Sequence, residues 1–181
     1  RDDFTGKALD TVTRWTALDT SAAGNTTPVL VANAPNGALN LPLDATNEVQ
    51  LSGIYWGDSR ILTLNQKLLF EVRINFPVLP TGAVIACVGL CGNHNAVADT
   101  VAESIWFRWD GSGATTVEAD DTVHETSKIA TTQTLVAAQK TVLRIEIDDT
   151  AAVRFYADGT RLASATTFNL SQVAALALQP I

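Results

Sequence analysis

The chain has 181 residues, with 12 Lys+Arg against 19 Asp+Glu and a formal charge of −7. That length fits one domain, residues 1–181, able to bury its own core; 46% hydrophobic residues exclude disorder over most of it. The acidic balance leaves no basic footprint for phosphates, so nucleic acid and anionic membrane surfaces are disfavoured as partners, and no run approaches the ~18 apolar residues of a membrane span.

The start, Arg1-Asp2-Asp3-Phe4-Thr5-Gly6, is polar and reads as no signal peptide; a first residue other than Met implies a processed or trimmed start. Ser21–Pro28 is a loop. Ala38–Leu43, Glu48–Ile54 and Arg60–Leu64 are weak strands. Leu68–Phe76 is a strong one: Leu68, Phe70, Val72, Ile74 and Phe76 share one face, and Glu71, Arg73 and Asn75 the other. Pro77 and Pro80-Thr81-Gly82 end it. Ala83–Leu90 is continuously apolar and rich in β-branched residues, which predicts a central strand covered on both sides.

Ser104–Trp109 runs into Asp110-Gly111 and then Thr115–Ala119, a hairpin with a longer loop. Ser127–Gln139 is Thr-, Ala- and Gln-rich and reads as a loop or a short strand. Val142–Asp148 alternates again, with Ile145 and Ile147 inward and a turn at Asp149-Thr150. Val153–Ala157, Asp158-Gly159 and Thr160–Ala163 form a tight hairpin, because Asp-Gly supplies two positive-φ residues. No window of helical length shows a capped apolar stripe. Many short antiparallel strands with close turns mean a sandwich or a barrel.

Few residues offer chemistry. His94 and His124 lie on separate segments, with no spacing to a nucleophile, and read as loop histidines. Glu146 and Asp148 share a strand face, but the alternation makes that face the solvent face of an ordinary strand. Glu118, Asp120, Asp121 and Glu125 lack the alternating-ligand loop of a calcium site and read as a solvated acidic loop. Cys87 and Cys91, if on a straight strand, span roughly 13 Å. That is beyond the ~7 Å of a disulfide, so they read as small apolar residues in a reducing compartment. Tyr55, Trp56, Trp106 and Trp109 are the candidate anchors for a partner or a sugar. Trp106 and Trp109 fall on opposite strand faces, which predicts one in the core and the other exposed or at an interface.

Asp2-Asp3-Phe4-Thr5-Gly6-Lys7 with Trp15 resembles the opening of concanavalin A-like jelly-roll domains of tailed-phage virions. Phe70–Ile74, then Pro80 and Val84–Leu90, is similar to that fold's central hairpin. Leu143–Ile147 followed by Val153–Gly159 is similar to its late strands. The resemblance implies an all-β, two-sheet antiparallel β-sandwich and a capsid decoration (cement) protein, not an enzyme and without cofactor or metal. It would lie on the virion exterior after assembly in the host cytoplasm. Its partners would be the major capsid protein and copies of itself, as a dimer or trimer, with Tyr55, Trp56, Trp106 and Trp109 as interface anchors. The alternative is a lectin-like carbohydrate-binding module of a phage fibre or secreted protein. The glucanase members of the fold carry a third acid, and here Glu146 and Asp148 are followed by Thr150 and Ala151. The fold also usually ends on a strand that rejoins the N-terminal one, whereas Leu176–Ile181 ends abruptly.

Overall fold

The computed structural model describes residues 4–6, 8–45, 48–64, 67–148, 151–170 and 177–181. The chain divides into two compact units, residues 1–59 with Ile181, and residues 60–180.

In the first unit, β1 (Thr16–Asp19) runs antiparallel to β4 (Ser52–Tyr55), and β2 (Val29–Leu30) pairs β3 (Leu39–Asn40). Strands this short are stable only with help from polar side chains, which satisfy the loop backbone. Glu48 accepts the Ser21 hydroxyl and the Ala22 amide, the latter at 3.0 Å. Asp19 accepts the hydroxyls of Thr26 and Thr27, and Ser52 Oγ donates to the Thr26 carbonyl at 2.7 Å.

The second unit is an antiparallel two-sheet sandwich. Its strands are β5 (Leu62–Thr63), β6 (Leu68–Asn75), β7 (Ile85–Cys91), β8 (Ser104–Asp110), β9 (Ala114–Asp120), β10 (Glu125–Thr134), β11 (Lys140–Ile147), β12 (Ala152–Ala157), β13 (Thr160–Leu162), β14 (Phe168–Asn169) and β15 (Ala177–Pro180). One sheet runs β10-β9-β8-β7-β15-β5, and the other β13-β12-β11-β6, with β14 also on β12. Between them lie Leu90, Ile105, Phe107, Val117, Leu143, Ile145 and Phe155, each fully buried. The Phe107 and Phe155 rings meet edge to face at 5.4 Å, a favoured aromatic geometry. Each such side chain contributes roughly 1.5–3 kcal/mol by leaving water.

The alternating strands stand as their patterns require. On β6 the inward residues are half-buried and Leu69, Glu71, Arg73 and Asn75 are exposed, and on β11 Leu143, Ile145 and Ile147 are buried. The β12–β13 turn has φ of 46° at Asp158 and 79° at Gly159, the two positive values the Asp-Gly pair supplies.

Other expectations need correction. β7 lies inside its sheet, but Ile85 is 45% exposed, so cover on both faces begins only at Gly89. The Thr-rich stretch forms the ten-residue β10, held to β9 through two register shifts. The chain does not end without a strand: β15 inserts between β7 and β5 of its own unit. The turn at Asp149-Thr150 lies outside the described residues. No helix among the described residues is long and apolar enough to cross a membrane.

Candidate interaction surface

In the first unit, a turn places the candidate aromatics. Asp10 Oδ1 accepts the amides of Val12 and Thr13 at 3.2 and 3.0 Å, and the Trp15 amide donates to the Asp10 carbonyl at 2.9 Å. Trp56 opens a second turn, closed by the Ser59 amide on its carbonyl at 3.1 Å, with φ of 62° at Gly57 and 61° at Asp58. Glycine is needed there: a Cβ on Gly57 would meet Thr16 Oγ1 at 2.7 Å. These turns set Trp15 against Trp56 at 6.1 Å between ring centroids, and Phe4 against Trp15 at 6.0 Å. Phe4, Trp15, Tyr55 and Trp56 are all half-buried, so each keeps part of a ring toward solvent. Burial, then the charge of Asp58, raises the Tyr55 phenol and keeps it neutral. A cavity of about 210 Å³ adjoins Phe4, lined also by Leu9, Asp10, Arg14 and Leu30.

Trp106 and Trp109 do lie on opposite faces of β8, yet each is only 1% exposed, which corrects the expectation that one stands free. Trp109 sits in the core, its Nε1 donating to Thr115 Oγ1 at 2.9 Å. Trp106 shares the other face with Ser104, Arg108 and Glu118, all buried. Ser104 Oγ donates to Glu118 at 2.8 Å. Arg108 bonds Asp110 and Asp99, each at 2.8 Å, and Lys128 meets Asp99 at 2.9 Å. Lys128, and behind it Arg108, holds the Asp99 carboxyl below the usual range. This network borders a 370 Å³ cleft. Its two cations and two carboxylates neutralise one another, so it anchors the 3-10 turn Ala98–Thr100 to the sheet. The sequence signal for it was the alternation of Ser104, Trp106 and Arg108, read only for its tryptophans.

The remaining candidates are engaged locally. Glu146 lies 3.2 Å from Arg144, and Asp148 2.9 Å from Arg154, while Asp148 also accepts the Ala152 amide. Asp121 is 4% exposed rather than solvated, and it accepts the amides of Val123 and His124 at 2.9 and 2.6 Å. His124 is exposed and its Nδ1 lies 3.4 Å from Asp121; His94 is half-buried. Among the described residues no group of three or more His, Cys, Asp or Glu is placed to hold a metal. Both cysteines lie on β7 outside any disulfide, and burial pushes Cys87 up to about 12, which makes it a poor nucleophile.

The outer face of the β13-β12-β11-β6 sheet is rich in charged side chains. Arg73, Lys140, Arg144, Arg154 and Arg161 stand there with Glu71, Glu146 and, at the end of β11, Asp148. Five cations against three carboxylates make it +2 in a chain of −7, so the rest of the chain carries −9. Register sets Glu71, Arg144, Tyr156 and Arg161 in one row across the strands. The Arg144 guanidinium lies 4.6 Å over the Tyr156 ring, a cation–π contact that flattens the row.

Comparison with protein-family models, curated proteins and solved structures found no match to this chain.

Proposed function

We propose that this chain is a tailed-phage capsid decoration protein of the concanavalin A-like jelly-roll kind. It would lie on the outer head surface, contact the major capsid protein and copies of itself, and stabilise the shell without performing chemistry. The observation that carries the reading is the outer face of the β13-β12-β11-β6 sheet. Its charges pair along β11 and between β11 and β12 and present a broad, locally basic plane. Such a plane suits adhesion by charge and shape complementarity, which gives specificity and register more than raw affinity. The half-exposed Tyr55 and Trp56 supply the aromatic contacts that dominate interface energetics. The resemblance of the opening and late strands to phage jelly rolls supplies the capsid context.

The test is reconstitution. Stripped particles mixed with purified protein should regain it at a fixed copy number, and Trp56→Ala and Arg144→Ala should lower the occupancy. Particles that take up no protein would overturn the reading. The second reading, a carbohydrate-binding module, is favoured by one observation: the Trp15 and Trp56 rings lie side by side, part-exposed, where a sugar could stack. Binding of a defined oligosaccharide on a glycan array, lost in Trp56→Ala, would select it.

A further inference from the structure

Among the described residues the sandwich of the second unit has four sheet edges, and three are blunted against further pairing. β10 is broken by two register shifts, β5 has two residues, and the edge along β12 is split between β13 of three residues and β14 of two. The fourth edge is β6. It pairs β11 through eight consecutive partners, Leu68 opposite Ile147 to Asn75 opposite Lys140, with no shift, and no other described strand pairs its far side. An eight-residue, unbulged edge is a ready template for another strand. The core beneath it is also unfinished. Leu143 and Ile145 on β11 are 0% exposed, whereas Phe70, Val72 and Ile74 on β6 remain half-buried.

We propose that β6 pairs antiparallel with β6 of a second copy of this chain, about a two-fold axis through Val72. The register follows from charge. With Val72 opposite the partner's Val72, Glu71 faces the partner's Arg73 and Arg73 faces the partner's Glu71, while Phe70 meets the partner's Ile74 on the core side. Centring the axis on Glu71 or Arg73 instead would put like charges face to face, which is destabilising in a cross-strand pair. A one-residue slip would set the apolar face of one strand against the charged face of the other. The contact is isologous, as a two-fold requires. It joins two four-strand paths into one of eight and covers the half-buried strip. It also brings the two +2 faces into one continuous surface. The inference deepens the reading of an oligomeric surface protein and rests on it for the role of the pair, though the edge, the register and the charges stand without it.

The test uses charge reversal on the full chain. Wild type should sediment at twice the 19.2 kDa chain mass. Two-fold symmetry turns each single substitution into two like-charge pairs, so Arg73→Glu and Glu71→Arg should each weaken dimerisation by about tenfold or more. Mixed in equal amounts, the two variants should form a heterodimer, seen by native mass spectrometry, because every facing pair is again opposite in sign. Glu71 also stands beside Arg144 in register, so far-UV circular dichroism checks the fold of Glu71→Arg. Amide exchange offers an independent readout: the β6 amides that point away from β11 should be protected in wild type and lose that protection in Arg73→Glu, while those bonded to β11 stay protected. A monomeric wild type, a single variant that dimerises as wild type does, or a mixture without heterodimer would overturn the proposal. Particle binding by the same proteins separates the two readings. A monomer that still decorates particles sinks only the β6 contact, and a dimer that ignores particles sinks only the capsid reading.

Discussion

Glu48 shows how much one carboxylate can organise. The Ser21 hydroxyl, then the Ala22 and Ala23 amides, donate to it and hold its pKa at about 2, against an ordinary value of 4.5. Because the folded value is the lower one, the carboxylate favours the folded loop above pH 4.5, and that contribution is lost as the pH falls through about 2. The protection of the Ala22 and Ala23 amides, taken relative to the intrinsic exchange rate at each pH, should therefore hold down to about pH 4.5 and fall on acidification toward 2. Glu48→Gln should show the reduced protection at neutral pH. Equal protection in wild type and variant at neutral pH would mean that these bonds do not hold the loop. None of this was legible in the linear chain, where Glu48 reads only as the first residue of a weak strand. Its Ser21, Ala22 and Ala23 partners lie 25 to 27 residues away, whereas Gln50, at 3.2 Å, is near in the chain.

At the scale of elements, β7 and β8 are pressed together at one point. A Cβ on Gly89 would stand 2.4 Å from the Ile105 carbonyl oxygen and 2.7 Å from Trp106 Cα, both backbone atoms of β8 that cannot turn aside. Gly89→Ala should thus cost about 1–3 kcal/mol or more, as overpacking does, and lower the melting temperature. Gly82→Ala, whose Cβ meets nothing within 4 Å, serves as the control for the strain of its own positive φ of 59°. An unchanged melting temperature in Gly89→Ala would show that the strands can part. The hairpins were readable in the sequence because Asp-Gly fixes a turn within four residues. The Thr-rich β10 was not, since a bulged strand has no steady period of two, and its pairing to β9 supplies the order.

At the scale of the whole molecule, charge is divided unevenly. A face of +2 sits on a chain whose remainder carries −9. Arginines on a sheet can suggest nucleic acid, but phosphate binding needs an extended positive field, and here five cations share their face with three carboxylates on a net-acidic chain. Duplex DNA at ~0.1 M salt, where charges act over about 10 Å, should show no retarded complex on a gel. A salt-sensitive complex abolished by Arg144→Ala would reverse that conclusion.

The sequence by itself determined the strands with a strict period, the tight hairpins and the all-β antiparallel class, because alternation and turn chemistry are written within a few residues. It also marked Glu71 and Arg73 as outward neighbours on one strand. The tertiary structure alone decided which strand ends a sheet, where β15 inserts, and that Trp106 and Arg108 are buried on the face away from the core. Period two separates the two faces of a strand but carries no information about what covers the second one. That cover, and the open edge at β6, depend on pairings between residues far apart in the chain, whose cost and reward are settled only when the sheets assemble.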